Sequence, residues 1–200
     1  MPIAVDPLTC GQKAAPHTFP HPSSVRRARS GALLQRAHVS ICDGETRQMD
    51  EEIRQKILTL LDQHRIMTLA TLRPDGWPQA TTVGYANDGL TLYFLCGPES
   101  QKAANLARDD RVSLTIDHDT PQVMDITGLS MAARATVVVD PSEGEKALRL
   151  LMRKYPPQDV LPLPLPTLAD VRIFRVTPTV ISVLDYAKGF GHTDLVTCEG

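Results

Sequence analysis

The residues best suited to do chemistry lie between Gly97 and Leu106. Ser100 is a good helix N-cap, and Lys102 falls in the first turn that would follow it. The first backbone N–H groups of a helix have no partner within the helix and carry positive charge, so an anion binds well there. A lysine in that turn opposes the helix dipole unless something negative lies beside it. The spacing therefore leaves two interpretations open, a phosphate site at Ser100 and Lys102 or Lys102 as an ordinary solvated residue.

A second candidate feature is the pair Thr81 and Thr82 in a predicted strand. Neighbouring strand residues project to opposite faces, so one hydroxyl is expected to point inward and one outward. Threonine is also common in strands because β-branched side chains fit there, and the pair alone is weak evidence for a ligand. Cys96 has no adjacent histidine to activate it, so we interpret it as a small buried apolar residue. No side chain can be assigned as a catalytic acid or base.

Metal binding is not predicted. His17 and His21 have helical i, i+4 spacing, but the prolines around them prevent the helix that would align the two rings. The four cysteines form no C-x-x-C pair, so neither a zinc site nor a disulfide framework is indicated. His192 follows a glycine-rich stretch that could fold over a cofactor, although a solvated tail is the favoured interpretation. Tyr186 is kept as an aromatic candidate for a cofactor ring.

The elements that would position these residues are mainly strands. Apolar spacing predicts one amphipathic helix, a short helix capped by Ser100, and a third helix that begins after Asp140. Pro-Asp-Gly at 74–76 and Asn-Asp-Gly at 87–89 are turn signals between strands. Short links between the strands favour antiparallel pairing in a small barrel. The predicted strands cover about 66–72, 78–86, 90–96, 111–117, 125–139, 171–176 and 180–184, and the helices about 49–64, 100–107 and 140–155.

Composition divides the chain into two parts. Residues 1–48 hold six basic and three acidic residues and no sustained apolar period, so we expect a disordered extension there, with an organelle transit peptide as the alternative. Residues 49–200 form the predicted domain. The net charge of −2 provides no field for gathering a polyanion, which argues against nucleic acid as a partner. No apolar run is long enough for a membrane helix, and the cysteine pattern makes a reducing cytoplasm the default location.

Several runs of residues together resemble the FMN-binding split-barrel family of pyridoxamine 5'-phosphate oxidase. The resemblance covers about residues 50–186, and the ordered combination of the runs is more specific than any one of them. The ending Val180–His192 is also similar to that of uncharacterised members. The matching runs are Met67–Thr81, Leu92–Cys96, Ser100-x-Lys102 with Asn105-Leu106, and Arg111–Leu114.

The resemblance implies a mainly β fold, a six-stranded antiparallel split barrel with peripheral helices. It implies a homodimer with one FMN in each of two grooves between the subunits. In such a protein Thr81, Thr82 and Val83 would line the flavin and its phosphate tail. Leu95 and Cys96 would lie along the isoalloxazine ring. Lys102 would pair with the phosphate, at the candidate anion site already described at the helix start.

The chain also departs from the oxidase. Thr81 and Gln101 stand where the oxidase has arginines, and its C-terminal Arg-x-His is absent; the chain offers Lys188, Phe190 and His192 instead. Oxidation of vitamin B6 is therefore not expected. We expect an FMN-dependent oxidoreductase acting on a small molecule, with NAD(P)H as a candidate hydride donor. The alternatives are a deazaflavin-dependent reductase and a non-catalytic module that holds flavin or haem.

Overall fold

A curled antiparallel sheet with three helices against it makes up the fold. The computed structural model describes residues 50–155, 167 and 169–198, so the predicted extension 1–48 and the histidine pair within it lie outside the described residues. The helices are α1 (Glu51–Gln63), α2 (Gln101–Arg108) and α3 (Pro141–Lys154). The strands are β1 (Ile66–Leu72), β2 (Pro78–Gly84), β3 (Ala86–Asp88), β4 (Thr91–Cys96), β5 (Arg111–Asp117), β6 (Thr127–Val137), β7 (Arg172–Asp185) and β8 (Thr193–Thr197).

The sheet closes on itself through one bent strand. Its order is β2-β1-β5-β6-β7-β4-β3, and every pair is antiparallel. Only Tyr85 separates β2 from β3, so one continuous run pairs with β1 at one end and with β4 at the other. β4 and β8 both pair with the same strand, β7, at its two ends. The predicted antiparallel split barrel is confirmed, with β8 as an additional strand.

The turns are made as their residues suggest. Gly76 takes φ +84 in the β1–β2 turn, and Gly89 takes φ +60 in the two-residue turn between β3 and β4. Positive φ is accessible to glycine because it has no Cβ. The predicted strand break at Asn87 and Asp88 is wrong by two residues, since both still pair with β4 and the chain turns only at Gly89 and Leu90.

The last two predicted strands are a single strand in the structure. β7 runs unbroken from Arg172 to Asp185 because the register with β6 shifts between Ala132 and Ala133. Pro178 lies at this irregularity, where its missing N–H is tolerated. The Thr179 hydroxyl donates to the Ala132 carbonyl at 3.0 Å and stabilises the bulge. A proline that sequence patterning treats as a break is therefore accommodated inside one long strand.

The helices begin at their capping residues. Asp50 caps α1 by accepting from the Glu52 N–H at 3.1 Å, so it precedes the helix instead of lying in its first turn as predicted. Asp140 likewise caps α3 by accepting from the Ser142 N–H. The Glu143 carboxylate, in the first turn of α3, accepts a hydrogen bond from the Tyr93 hydroxyl at 3.0 Å. Glu143 thereby ties α3 to β4.

The core lies inside the curl of the sheet. Inward residues alternate along each strand, and α1 adds Ile57, Leu60 and Leu61 to them. The rings of Phe94 and Phe174, on the paired strands β4 and β7, stack with centroids 5.1 Å apart. Within the described residues, the structure contains no helix with the length and apolar character needed to cross a membrane.

Candidate functional site

Helix α2 begins where the sequence predicts. The Ser100 hydroxyl accepts from the Ala103 N–H at 3.3 Å, and the Ser100 N–H donates to the Gly97 carbonyl at 3.1 Å. The turn between β4 and α2 is thereby fixed at both ends. Lys102 lies in the first turn of the helix, as expected, and its side chain is half-buried. The predicted N-cap is confirmed.

A buried asparagine attaches α2 to the sheet. Asn105 is fully buried, and its Nδ2 donates to Thr71 Oγ1 at 3.0 Å and to Gln79 Oε1 at 3.4 Å. Its Oδ1 accepts from Gln101 Nε2 at 2.9 Å. Thr71 and Gln79 are cross-strand partners on β1 and β2. One amide group therefore joins α2 to two strands and satisfies its own buried polar atoms.

The other end of α2 is held by an arginine. Arg108 Nη2 donates to the Leu72 carbonyl at 2.8 Å and to the Arg73 carbonyl at 2.6 Å, at the end of β1. An open groove of about 540 Å³ lies between the β1–β2 turn and the start of α2. The residues that line it are Arg73, Pro74, Asp75, Gln79 and Gln101.

Two polar groups near this groove lack partners in the described part of the chain. Thr81 follows Gln79 by two residues, so its side chain lies on the same face of β2, and its Oγ1 is buried without a hydrogen-bond partner. The Lys102 ammonium makes no hydrogen bond or ion pair with any described residue. Buried polar atoms in proteins are almost always paired, so the Thr81 hydroxyl calls for an explanation. A ligand with acceptor oxygens would provide one.

The remaining residues predicted on β2 face different surroundings. Thr82 is exposed on the outer face of the sheet, whereas Val83 belongs to the core. The three consecutive β2 residues therefore cannot all direct their side chains at one ligand.

The end of β4 also presents two faces. Leu95 packs beside Tyr93 and Ile173 on the α3 side of the sheet, whereas Cys96 packs against the main core. Both are half-buried and lie five and four residues before the Ser100 cap. β4 leads directly into this cap, and it also contacts β2. Leu95 and Cys96 are therefore brought to the same end of the barrel as the start of α2.

Tyr186 lies elsewhere. The first residue of β7 pairs with Cys96, and the strand then runs away from the groove to Asp185, so Tyr186 sits at the opposite end of a 14-residue strand. Its ring packs against Phe190 with centroids 5.3 Å apart. Within one chain, the structure does not bring Tyr186 to Lys102.

The segment that contains Lys188 and His192 is not a solvated tail. Lys188 Nζ and His192 Nε2 contact the two carboxylate oxygens of Asp194 at 3.1 and 3.2 Å. The chain then continues as β8, which pairs with Val180–Leu184 of β7. The interpretation of this segment as a solvated tail is therefore wrong, because the chain after it pairs with β7. The glycine-rich sequence gave no sign of that pairing. Phe190 stays exposed at the tip of this hairpin.

Sequence reasoning missed the amide residues Gln79 and Asn105. The available signal was the position of Asn105 on the apolar side of α2, beside Ala103 and Leu106, where an unpaired amide would be costly. The groove's own charged residues, Arg73 and Asp75, pair with each other at 2.7 Å. Across the described ranges, no group of three or more His, Cys, Asp or Glu side chains is arranged to hold a metal ion. The capped first turn of α2, with Lys102 in it, is therefore the candidate anion site of the described residues.

Comparison with known proteins agrees with this architecture. General stress protein 26 of Bacillus subtilis is 32% identical over 69 residues, which are 34% of this chain and 49% of that protein, so the match spans about half of the relative. A Listeria innocua protein provisionally named pyridoxamine 5'-phosphate oxidase superposes with a TM-score of 0.55 and 25% identity, over 66% of this chain and 98% of that one.

A second solved structure shares the fold alone. The heme binding protein of Mycobacterium smegmatis superposes with a TM-score of 0.53 at 20% identity, over 70% of this chain and 55% of that one.

The sequence model of a family described as pyridoxamine 5'-phosphate oxidase matches residues 53–185, most of the described domain. Together with the split barrel and its capped helix after β4, this match shows that the chain belongs to the pyridoxamine 5'-phosphate oxidase family.

Proposed function

We propose that the protein binds FMN, with the flavin phosphate at the start of α2, and that it is a flavin-dependent oxidoreductase. The observation that carries this proposal is a half-buried lysine in the first turn of α2 together with a Thr81 hydroxyl on β2 that is buried with no partner among the described residues. A phosphate dianion supplies both the negative charge and the acceptor oxygens that these two groups lack.

The residues present fit a phosphorylated cofactor. Lys102 would hold the phosphate by charge, and Thr81 would donate a hydrogen bond to the cofactor. The Ser100 hydroxyl caps the helix and so keeps the free N–H groups of its first turn in place. Leu95 and Cys96 offer partly buried apolar surface at the same end of the barrel, as the resemblance implies for the ring.

Two departures from the oxidase affect the proposal, one for cofactor affinity and one for the substrate. Gln101, which replaces an arginine, lines the groove without a charge and donates a hydrogen bond from its Nε2 to Asn105. Lys102 is then the cation assigned to the phosphate, which favours a modest affinity. The C-terminal residues Lys188 and His192 are engaged with Asp194 and do not reproduce the oxidase's Arg-x-His. We therefore propose a small-molecule substrate other than vitamin B6.

The division of chemical labour follows from the groove. A bound flavin supplies hydride transfer, and the protein supplies binding and orientation. The groove is lined by amides and by an arginine paired with an aspartate, so no side chain there is assigned as acid or base. NAD(P)H is the proposed hydride donor to be tested first.

A homodimer is part of the proposal, and the outer sheet face supports it. Side chains in its two central rows are uncharged across six strands, and all but Val180 and Leu195 are Ala, Ser or Thr, so two copies could approach closely without burying charge. Arg111, Arg134 and Asp117 lie only at the rim of this surface. The two rows are Thr82-Thr68-Thr115-Ser130-Ser182-Leu195 and Ala80-Ala70-Ser113-Ala132-Val180-Thr197.

The second candidate is a non-catalytic carrier or sensor of flavin or haem. It is favoured by the groove's lack of an assignable acid or base and by the fold shared with a haem-binding protein. A deazaflavin in place of FMN remains the alternative within the enzyme class.

Purified protein titrated with FMN tests the proposal directly. We expect the visible flavin spectrum to shift, the flavin fluorescence to be quenched, and NAD(P)H to be consumed by the loaded protein. Binding without turnover would favour the carrier. Binding of haem or a deazaflavin in the same titration, with FMN left free, would overturn the assignment of the cofactor.

A further inference from the structure

The network around Asn105 has a consequence for cofactor binding. α2 carries Ser100 and Lys102, whereas β2 carries Thr81, so one ligand can reach both only if the helix and the strand keep a fixed separation. Among the contacts between these elements, the Asn105 amide is fully buried and bonds both β1 and β2. Hydrogen bonds inside a protein hold geometry well because the surroundings cannot replace them with water.

The positions of the residues are suited to this task. Asn105 follows Lys102 by three residues, so the two side chains lie on neighbouring sides of the helix. Gln79 precedes Thr81 by two residues, so these two side chains lie on the same face of β2. The hydrogen bond from Asn105 to Gln79 therefore joins two residues that are each the neighbour, on its own element, of a proposed phosphate contact.

We infer that Asn105 is a positioning residue for the cofactor phosphate. Its hydrogen bonds to Thr71 and Gln79 fix the position of α2 relative to β1 and β2. Lys102 and Thr81 are thereby held where both can bind the same anion. This inference rests on the proposed function and adds a residue that does not itself touch the ligand. A site arranged before binding loses less affinity to the ordering of its own groups.

Riboflavin separates this role from a general loss of structure. Riboflavin has the ring and ribityl chain of FMN but no phosphate, so the ratio of the two affinities isolates the phosphate contribution. Asn105→Leu keeps the side chain's approximate volume and removes all three hydrogen bonds. We expect FMN affinity to fall about tenfold, the effect of one or two hydrogen bonds, and riboflavin affinity to stay the same.

Two further variants complete the test. Thr71→Val removes one acceptor of Asn105 Nδ2 with a side chain of the same shape, and keeps the question answerable if Asn105→Leu does not fold. It is expected to shift the FMN-to-riboflavin ratio in the same direction by a smaller factor. Ile57→Val, in the core at α1, is the control: it lowers the melting temperature without changing the ratio.

The outcomes distinguish the inference from the function on which it rests. If the wild-type protein prefers FMN to riboflavin and both Asn105→Leu and Thr71→Val keep that preference, the positioning role is wrong and the proposed function stands. An equal loss of both ligands in the variants also overturns the positioning role, because it reports general destabilisation. If the wild-type protein binds neither ligand, or binds both equally, the phosphate site itself is wrong.

Discussion

At the residue scale, the proposed phosphate site depends on one cation. Replacing Lys102 with Ala removes a charge-assisted contact, and we expect FMN affinity to fall by about 1–3 kcal/mol. Titration calorimetry at low and moderate salt measures the change. Lys146→Ala is a matched control, because Lys146 lies on α3 and pairs with Asp88 away from the groove. An unchanged dissociation constant in Lys102→Ala would place the phosphate elsewhere.

Removing the Thr81 hydroxyl is predicted to stabilise the ligand-free protein and to weaken FMN binding. A buried hydroxyl without a partner is costly, and valine has the same shape without it. Thr81→Val is therefore expected to raise the ligand-free unfolding free energy by up to about 1 kcal/mol and to weaken FMN binding by about 0.5–1.5 kcal/mol. Urea unfolding and FMN titration measure the two effects. A variant that is less stable and binds FMN as well as wild type would show that the hydroxyl has a structural partner.

At the element scale, α1 is attached to the end of β7 by an ion pair. Lys56 donates to the Asp185 carboxylate, which is nearly inaccessible to solvent. This hydrogen bond lowers the pKa of Asp185 below its usual value, and burial of the carboxyl opposes the shift only in part. A carboxyl whose pKa is lower in the folded state stabilises the fold above the unfolded pKa of about 3.9. That stabilisation is lost as the pH falls through the lower folded value.

We therefore expect the unfolding free energy to drop below about pH 4, and this acid dependence to be weaker in Asp185→Asn. At pH 7 the variant should be destabilised, because Lys56 is left without its partner. Chemical denaturation between pH 3 and 7 measures both effects. Asp50→Asn, at the exposed cap of the same helix, is the control. The same acid slope in Asp185→Asn and in wild type would contradict the assignment.

The other end of α1 provides a prediction at higher pH. The His64 ring stacks on His118 with centroids 5.5 Å apart, and its Nε2 is buried without a partner among the described residues. Burial, then His118 and Lys154, lower the pKa of His64, and Asp117 opposes them. A histidine with a lowered folded pKa destabilises the fold while it is protonated, so stability rises as the pH passes upward through the folded and then the unfolded value of about 6.5. Unfolding measured between pH 5 and 7.5 should show this rise, and His64→Gln should lose it.

Local sequence signals were sufficient to predict most of the helices, strands and turns. Ser100 and Asp140 cap helices because their side chains bond backbone groups two or three residues away, and Gly76 turns because it alone accepts positive φ. Such interactions are set by neighbours in the chain, so one sequence reveals them. The amphipathic stripe of α1 was equally readable, since Ile57, Leu60 and Leu61 are all buried as predicted.

Long-range pairing was not readable in the same way. Asn105 gains its role from Thr71 and Gln79, which lie 34 and 26 residues before it, and no local pattern reports such contacts. The break predicted between residues 176 and 180 is absent, because the bulge that accommodates Pro178 is created by the opposite strand at Ala132. β8 was missed for the same reason, since its strand character comes from pairing with β7. The candidate site was therefore located from sequence, but its supporting contacts were not.

At the scale of the whole molecule, the proposed homodimer places the outer sheet face between two copies. Ala70 lies in the interior of that face, paired with Ala80 on one side and Ser113 on the other. Ala70→Arg adds a long charged side chain that a tightly packed interface cannot bury without cost. We expect the wild-type protein to sediment as a dimer and Ala70→Arg as a folded monomer.

The same variant tests whether the cofactor groove needs the second copy. Tyr186 and the exposed Phe190 lie far from Lys102 within one chain, so these aromatic side chains can lie beside a cofactor at Lys102 only if a partner supplies them. FMN affinity should therefore fall together with dimerisation in Ala70→Arg, and Gln55→Arg, on the exposed side of α1, should retain both. Sedimentation and FMN titration on the same samples measure the coupling. A monomeric Ala70→Arg that binds FMN like wild type would show that one chain completes the site, because no residue from a partner would then be needed.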